Sequence, residues 1–372
     1  MTDNNKIYLV TSTAEAGTVE TLPVRAEMEL ILNDDLARSD VYFDKRTKVC
    51  ITSEYSLATV LERLDPARQR AANLLKDKLA FRNMLKEIYP EYSFRHVSTE
   101  EIASLEIDRK SVIKPVRGIF GTAVKVISPG TDLVQLGLEM SAVIGKNAKV
   151  YPETVLSGGD FIVEDFIEGE EYAVDMFYDS QGEPCIVNIM HHPLPANEAY
   201  IHMIYNASER AFDAMYRKSK EFFRELNRLL KVTNFAMHSE LRLQNDRICP
   251  IEINSMRFGG MGLCNLAWFA FGINPFLCFL YETEPDWDTI WKERKEKIYS
   301  FFIAYNGDSV NTEQSRPLPD KLRSRFTKVL KEQLFDYRQQ LAFGIYFLEE
   351  TDENIRELLR LDFNEFFEET KI

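Results

Sequence analysis

Two alternating segments, Phe235-Ala-Met-His-Ser-Glu-Leu-Arg-Leu243 and Ile248-Cys-Pro-Ile-Glu-Ile-Asn254, constrain this chain more than any other feature. Side chains along a strand point to opposite faces in turn, so Phe235, Met237, Leu241 and Leu243 share one face and His238, Glu240 and Arg242 the other. In the second segment Ile251 and Ile253 share a face, and Glu252 and Asn254 the opposite one. Gln244-Asn-Asp-Arg247 between them reads as a hairpin turn. To set Glu240 across from Glu252 on one face, the loop must hold an odd number of residues or a bulge must shift the register. The two carboxylates then stand about 5 Å apart and repel unless a dication lies between them. On the hairpin alone, an amphipathic pair of strands with a solvated acidic face has the better claim.

The neighbours shift that weight. Asn254 adds a neutral oxygen, and oxygen-only ligands suit Mg²⁺. Arg257 follows inside the glycine-rich run Ser255-Met-Arg-Phe-Gly259-Gly260-Met-Gly262, a cation able to stabilise developing negative charge near a metal. Lys114 ends the strand-like Val112-Ile113-Lys114 before a loop in which Gly118 and Gly121 let backbone N–H groups approach phosphate oxygens; a hairpin with an exposed lysine is the equal reading. Lys78, in Asp77-Lys78-Leu79, reads by itself as a solvated helix residue. Glu164-Asp-Phe-Ile167-Glu-Gly169-Glu-Glu171 turns tightly between strands with acids at both ends, and by itself reads as a charged hairpin tip.

The 372 residues suffice for two or three lobes, and 45% apolar with 28% charged residues is ordinary for a globular enzyme. A net charge of −14 argues against nucleic acid or an anionic membrane as partner, though not against one nucleotide bound with its metal. The start shows no signal-peptide pattern, and runs such as Leu266-Ala-Trp-Phe-Ala-Phe271 are too short to span a bilayer. Five cysteines without zinc-type spacing, four of them among apolar or β-branched neighbours, read as free, largely buried thiols in a reducing cytoplasm.

Periodicity predicts strands at 6–10, 41–43 and 49–51 and helices over 25–37 and 54–64, a short α/β lobe without a dinucleotide-binding glycine motif. A long helix is expected over 66–89. Strands are expected at 112–114, 123–127, 161–167 and 171–178, helices over 132–145 and 208–231, and a late strand over 341–348. The fold class is α/β (α+β).

Taken in order, these residues resemble the ATP-grasp superfamily of carboxylate–amine ligases over about 75–275. The resemblance implies an ATP-grasp domain over 76–280 with its lid at about 111–175; the α/β lobe over 1–75 is short and irregular beside the family's usual preceding domain, and 281–372 reads as an accessory segment. In that family the lysines matching Lys78 and Lys114 touch ATP phosphates. The hinge matching Glu164, Ile167 and Glu171 binds adenine through its backbone and ribose through its last acid. The strand pair matching His238-x-Glu240 and Glu252-x-Asn254 carries two Mg²⁺ ions, which Mn²⁺ can replace. The implied reaction is attack of a carboxylate on the γ-phosphorus of ATP, giving ADP and an acyl phosphate, then displacement of phosphate by an amine, with the loop 115–122 closed over the phosphates. Lys114 and Arg257 are the expected catalytic cations. The expected partners are a small carboxylic acid and an amine, both amino acids, and a second copy of the chain.

One departure bears on the chemistry. Family members usually carry arginine two residues after the asparagine, whereas Arg257 comes three after Asn254. His192, in His191-His192-Pro193 before the loop 194–202, and Arg257 are the candidate contacts to a substrate carboxylate, a surface-loop histidine being the equal alternative. Cys249 and Cys264 read as core residues. Two rival readings stay open: another ATP-grasp reaction, yielding an acyl phosphate or thioester, and an ATP-binding module without turnover.

Overall fold

The structure, a computed structural model, describes residues 5–12, 18–118, 123–147, 158–194 and 203–370. Its first lobe is a parallel sheet of β1 (Ile7–Thr11), β2 (Met28–Leu32) and β3 (Lys48–Ile51), with β1 in the middle. The helix expected over 25–37 is therefore half strand: Met28–Leu32 pairs along β1, and only Asn33–Ala37 is helical. Pairing with a buried strand overrides the weak helical period. The strand expected at 41–43 reduces to a single bridge from Phe43 to Leu64. The expected 54–64 helix is a 3₁₀ turn, Glu54–Ser56, followed by the helix Leu57–Leu61.

The long helix expected over 66–89 is two, Pro66–Lys76 and Lys78–Leu85. Asp77 leaves helical geometry between them, and its carboxylate caps the second helix by accepting from the Ala80 N–H at 2.9 Å. An N-capping aspartate satisfies donors that a continuous helix would not have left open. The break leaves Lys76 and Lys78, both buried, on either side of a corner.

The next sheet holds β4 (Phe94–Ser98), β5 (Ser111–Pro115), β6 (Lys125–Ile127) and β7 (Asp160–Asp165) in the order β4-β7-β5-β6. Ile113, Phe161 and Val163 pack with Leu136, Met140 and Ile144 of the helix Leu133–Asn147. Alternation turns Lys114 and Glu164 to the other face.

The main sheet is antiparallel and eight-stranded. It runs from β8 (Glu170–Tyr178), β9 (Pro184–His192), β10 (Ile204–Ser208), β11 (Phe235–Gln244), β12 (Arg247–Ser255) and β13 (Ile298–Tyr305) through β15 (Lys328–Leu334) and β16 (Ala342–Glu350) in the order β12-β11-β8-β9-β10-β13-β16-β15, while β14 (Ser315–Pro317) and β17 (Phe367–Glu369) pair apart from it. The segment 281–372 thus supplies three strands of the sheet that carries the acidic hairpin. The helix Glu209–Leu230, capped by Ser208, buries Phe212, Met215, Phe223 and Leu226. All five cysteines are free; Cys50, Cys185 and Cys264 are buried, Cys249 and Cys278 partly exposed. Among the described residues no single helix is long and apolar enough to cross a membrane.

Candidate active site

The hairpin meets the register demand by a bulge. Asn245 and Asp246 both have positive φ, 49° and 64°, the signature of a two-residue turn that alone would set Glu240 against Ile251. Gln244 pairs with Arg247 and Leu241 with Pro250, but the register shifts at the next step and Glu240 faces Glu252. Ile251 is the extra residue. β12 is the outer strand of the sheet, where a proline costs no ladder bond, so Pro250 is tolerated beside the bulge.

Burial and the neighbouring charges of Glu252 and Glu171 hold the Glu240 carboxyl above the ordinary carboxylate range. Glu252 goes the other way: burial works against its charge, but Lys78, Lys76 and Lys114 outweigh it and keep the carboxyl below that range. Lys78 Nζ is 3.2 Å from a Glu252 oxygen. Asn254 lies opposite His238, and both are buried. Among the described residues no three His, Cys, Asp or Glu side chains form a metal cluster. Two carboxylates and one amide oxygen instead suit a metal that arrives already carrying phosphate oxygens.

Lys114 reaches the same corner. Its Nζ is 2.5 Å from Glu164 Oε1 and donates to the bulged Ile251 carbonyl at 3.4 Å. Burial pulls the Lys114 ammonium pKa down, with Glu164 opposing. Arg82 clamps the other side of Glu164 at 2.6 Å and donates to the Pro250 carbonyl at 2.6 Å. Glu164 is thus a buried junction: burial raises its pKa, but Arg82 and Lys114 outweigh it and hold the carboxyl at about 2. Lys78 Nζ lies 3.9 Å from where a Cβ on Gly118 would stand, in open van der Waals contact. Gly121 falls outside the described residues, as do 195–202 of the loop after His192.

At the hinge, the Ile167 carbonyl accepts from Arg242 Nη1 at 2.6 Å. Glu171 is buried with one oxygen 2.8 Å from His192 Nδ1 and the other accepting from Arg242 Nε and Nη2 at 3.2 and 3.1 Å. His192 is therefore no surface-loop histidine: it ends β9, buried against Glu171 and stacked on Tyr205 at 4.3 Å. Arg257 sits at the far end of the site, its Nε donating to Glu54 Oε1 at 2.6 Å. Glu54 also takes Lys76 Nζ at 2.9 Å, and Lys76 donates on to the Gly118 carbonyl at 3.3 Å.

Four residues outside the sequence expectations complete the site: Glu54, Lys76, Arg82 and Asp175. Asp175, fully buried, accepts from the Gly259 N–H at 2.8 Å and lies 2.8 Å from His238 Nδ1. Its signal was available, because Asp175 is four residues beyond Glu171 and shares its face of the strand. Glu54 arrives from another lobe and leaves no local pattern.

Residues 107–265 match the ATP-grasp domain family. No curated protein matches the sequence. The fold is similar to that of an L-amino acid ligase from Bacillus licheniformis, with a TM-score of 0.68 and 14% identity over 100% of both chains. It is also similar to N5-carboxyaminoimidazole ribonucleotide synthetase from Thermotoga maritima, with a TM-score of 0.57 and 13% identity over 99% of this chain and 100% of that one. Phosphoribosylglycinamide synthetase from Anaerococcus prevotii gives a TM-score of 0.53 and 14% identity over 98% and 99%. Residues 107–265 are thus an ATP-grasp domain by sequence, and over its full length the chain has the ATP-grasp fold.

Proposed function

We propose that this protein uses ATP with bound Mg²⁺ to activate a carboxylate and joins it to an amine, both substrates being amino acids. The carrying observation is the bulge that sets Glu240 opposite Glu252 beside Asn254, within a ring of Lys78, Lys114, Lys76 and Arg257. Lys78 balances Glu252, and Lys114 balances Glu164. Glu240, Glu252 and the Asn254 oxygen would hold the Mg²⁺ ions that ATP brings, which would offset phosphate charge, and Lys78 and Lys114 would meet the phosphate oxygens. The hinge 164–171 borders the adenine side.

A substrate carboxylate oxygen attacks the γ-phosphorus and the bond to the β-phosphate oxygen breaks, releasing ADP. Arg257 offsets charge on the acyl phosphate. The amine nitrogen then attacks the acyl carbon, inorganic phosphate leaves, and the nitrogen loses a proton. Likeness in fold to an L-amino acid ligase, over the full length of both chains, supports amino acids as the substrate class.

Purified protein with MgATP and pooled amino acids should release ADP and phosphate together with a product of amide mass. AMP as the nucleotide product would exclude the acyl-phosphate route. ADP release that needs an acid but no amine would point to acyl phosphate or thioester formation without ligation. Tight ATP binding without turnover in any pool would make the chain a binding module.

A further inference from the structure

We propose that Glu54, supplied by the N-terminal lobe, is a positioning residue that aims Arg257 at the reacting phosphate. The proposal rests on the ligase reading above.

The starting point is the spacing. Two residues after Asn254, where the family's arginine usually stands, this chain has Met256, fully buried with a left-handed φ of 61°. A β-unbranched residue in that region is uncommon and persists only where its surroundings fix it. They do here. The Met256 carbonyl accepts from the Ile51 N–H of β3 at 2.7 Å, and the Gly259 N–H is held by Asp175 at 2.8 Å. The backbone is thus turned at Met256, where β3 of the N-terminal lobe holds it, and Arg257 follows that turn.

A long guanidinium side chain leaving a turned backbone needs a fixed partner to hold one geometry. Glu54 is that partner, three residues beyond β3, the strand that bonds Met256. Its Oε1 takes Arg257 Nε at 2.6 Å, while Arg257 Nη1 donates to its neighbour's carbonyl on Phe258 at 3.1 Å. The charges of Glu240 and Glu252 act on the same guanidinium, so the clamped arginine borders the acidic pair. Glu54 and Arg257 are both shielded from water, with side chains only 5% and 11% exposed, so the ion pair is short-ranged and directional. The second oxygen of Glu54 holds Lys76, which reaches the Gly118 carbonyl, so one carboxylate ties the arginine and the loop after β5 to the same lobe.

Two readouts on the full-length protein test this. The first needs no turnover: the Arg257 Nε–H, assigned by its loss in R257M, should give a slowly exchanging NMR signal that disappears in E54Q and survives in K76M. Persistence of the signal in E54Q would overturn the proposal. The second is kinetic, with the acid–amine pair that supports ADP release. E54Q should lower kcat about 100-fold with the KM for MgATP changed less than about threefold. R257M should do the same, and E54Q/R257M should be no worse than either single variant, because residues acting as a unit are not additive. Additive losses would overturn the proposal. E54Q/K76M, which removes the buried cation left behind, checks that the E54Q loss is not misfolding. A wild-type protein inert toward every acid–amine pair would remove the ligase reading, while the NMR signal would still decide whether Glu54 holds Arg257.

Discussion

Glu252 is the residue on which the proposed chemistry turns. It holds Lys78 at 3.2 Å and is a metal ligand in the proposed reaction. Glu252→Gln preserves the side chain's shape but removes the charge that draws a dication. ADP release should fall at least about 100-fold, while the thermal midpoint and far-UV dichroism stay near wild type. Rates near wild type in that variant would take Glu252 out of the site. At this scale the sequence was legible through the ordered set and not through any one motif: Glu240, Glu252 and Lys114 lie on strands and Lys78 opens a helix, and the fold brings their charges to one corner. It was illegible where a side chain's role is decided by a partner from a distant segment. Glu171 reads as a ribose ligand from its motif, yet both its oxygens are engaged by Arg242 and His192. Arg82 looks like any helix-surface arginine until Glu164 and the Pro250 carbonyl close around it.

At the scale of elements, the demand for an odd loop or a bulge was readable from period-2 alternation alone, but the choice between them was not. Asn245-Asp246 can adopt the two left-handed conformations of a tight turn, and the local turn chemistry then forces the extra residue into β12. The helix break at Asp77 was also written in the sequence, as an N-capping residue inside an apolar period, but propensity summed over the window hides it. The turn at the hinge makes a sharper claim. Gly169 has φ +108°, and a Cβ there would stand 2.1 Å from the Leu243 carbonyl oxygen. That clash is with backbone of β11 and cannot be relieved by rotating a side chain. Gly169→Ala should therefore destabilise the protein by about 2–4 kcal/mol in denaturant unfolding and weaken MgATP binding by displacing Ile167 and Glu171. Unchanged stability would mean that the hinge does not pack on β11 as described.

Across the whole molecule, no local pattern announced that β13, β15 and β16 extend the sheet bearing the hairpin; long-range antiparallel pairing sets that, with Tyr299–Phe302 against Phe347–Leu348 and their neighbours. The three lobes are joined by buried ion pairs, and this makes global stability sensitive to acid. Glu54 joins the first lobe to Arg257 and Lys76, and Glu164 joins β7 to Arg82 and Lys114. Burial would raise both carboxyls, but their cations outweigh it and hold each at about 2 against an ordinary 4.5. A depressed acid favours the folded state once the unfolded chain has lost its proton. The contribution is therefore fully present above about pH 4.5 and is lost as pH falls through about 2. Each group is worth about 3 kcal/mol over that window. Glu240, held above the ordinary range by burial and by Glu252, has the opposite sign: it destabilises the fold as pH rises from about 4.5. Urea unfolding should accordingly show stability dropping steeply below pH 4.5. In Glu164→Gln the neutral-pH stability should already be lower by about 3–5 kcal/mol, since Arg82 and Lys114 lose their shared anion, and the acid slope should be shallower. An acid slope in Glu164→Gln as steep as in the wild type would show that the charge holding the β4–β7 sheet to the hairpin resides elsewhere.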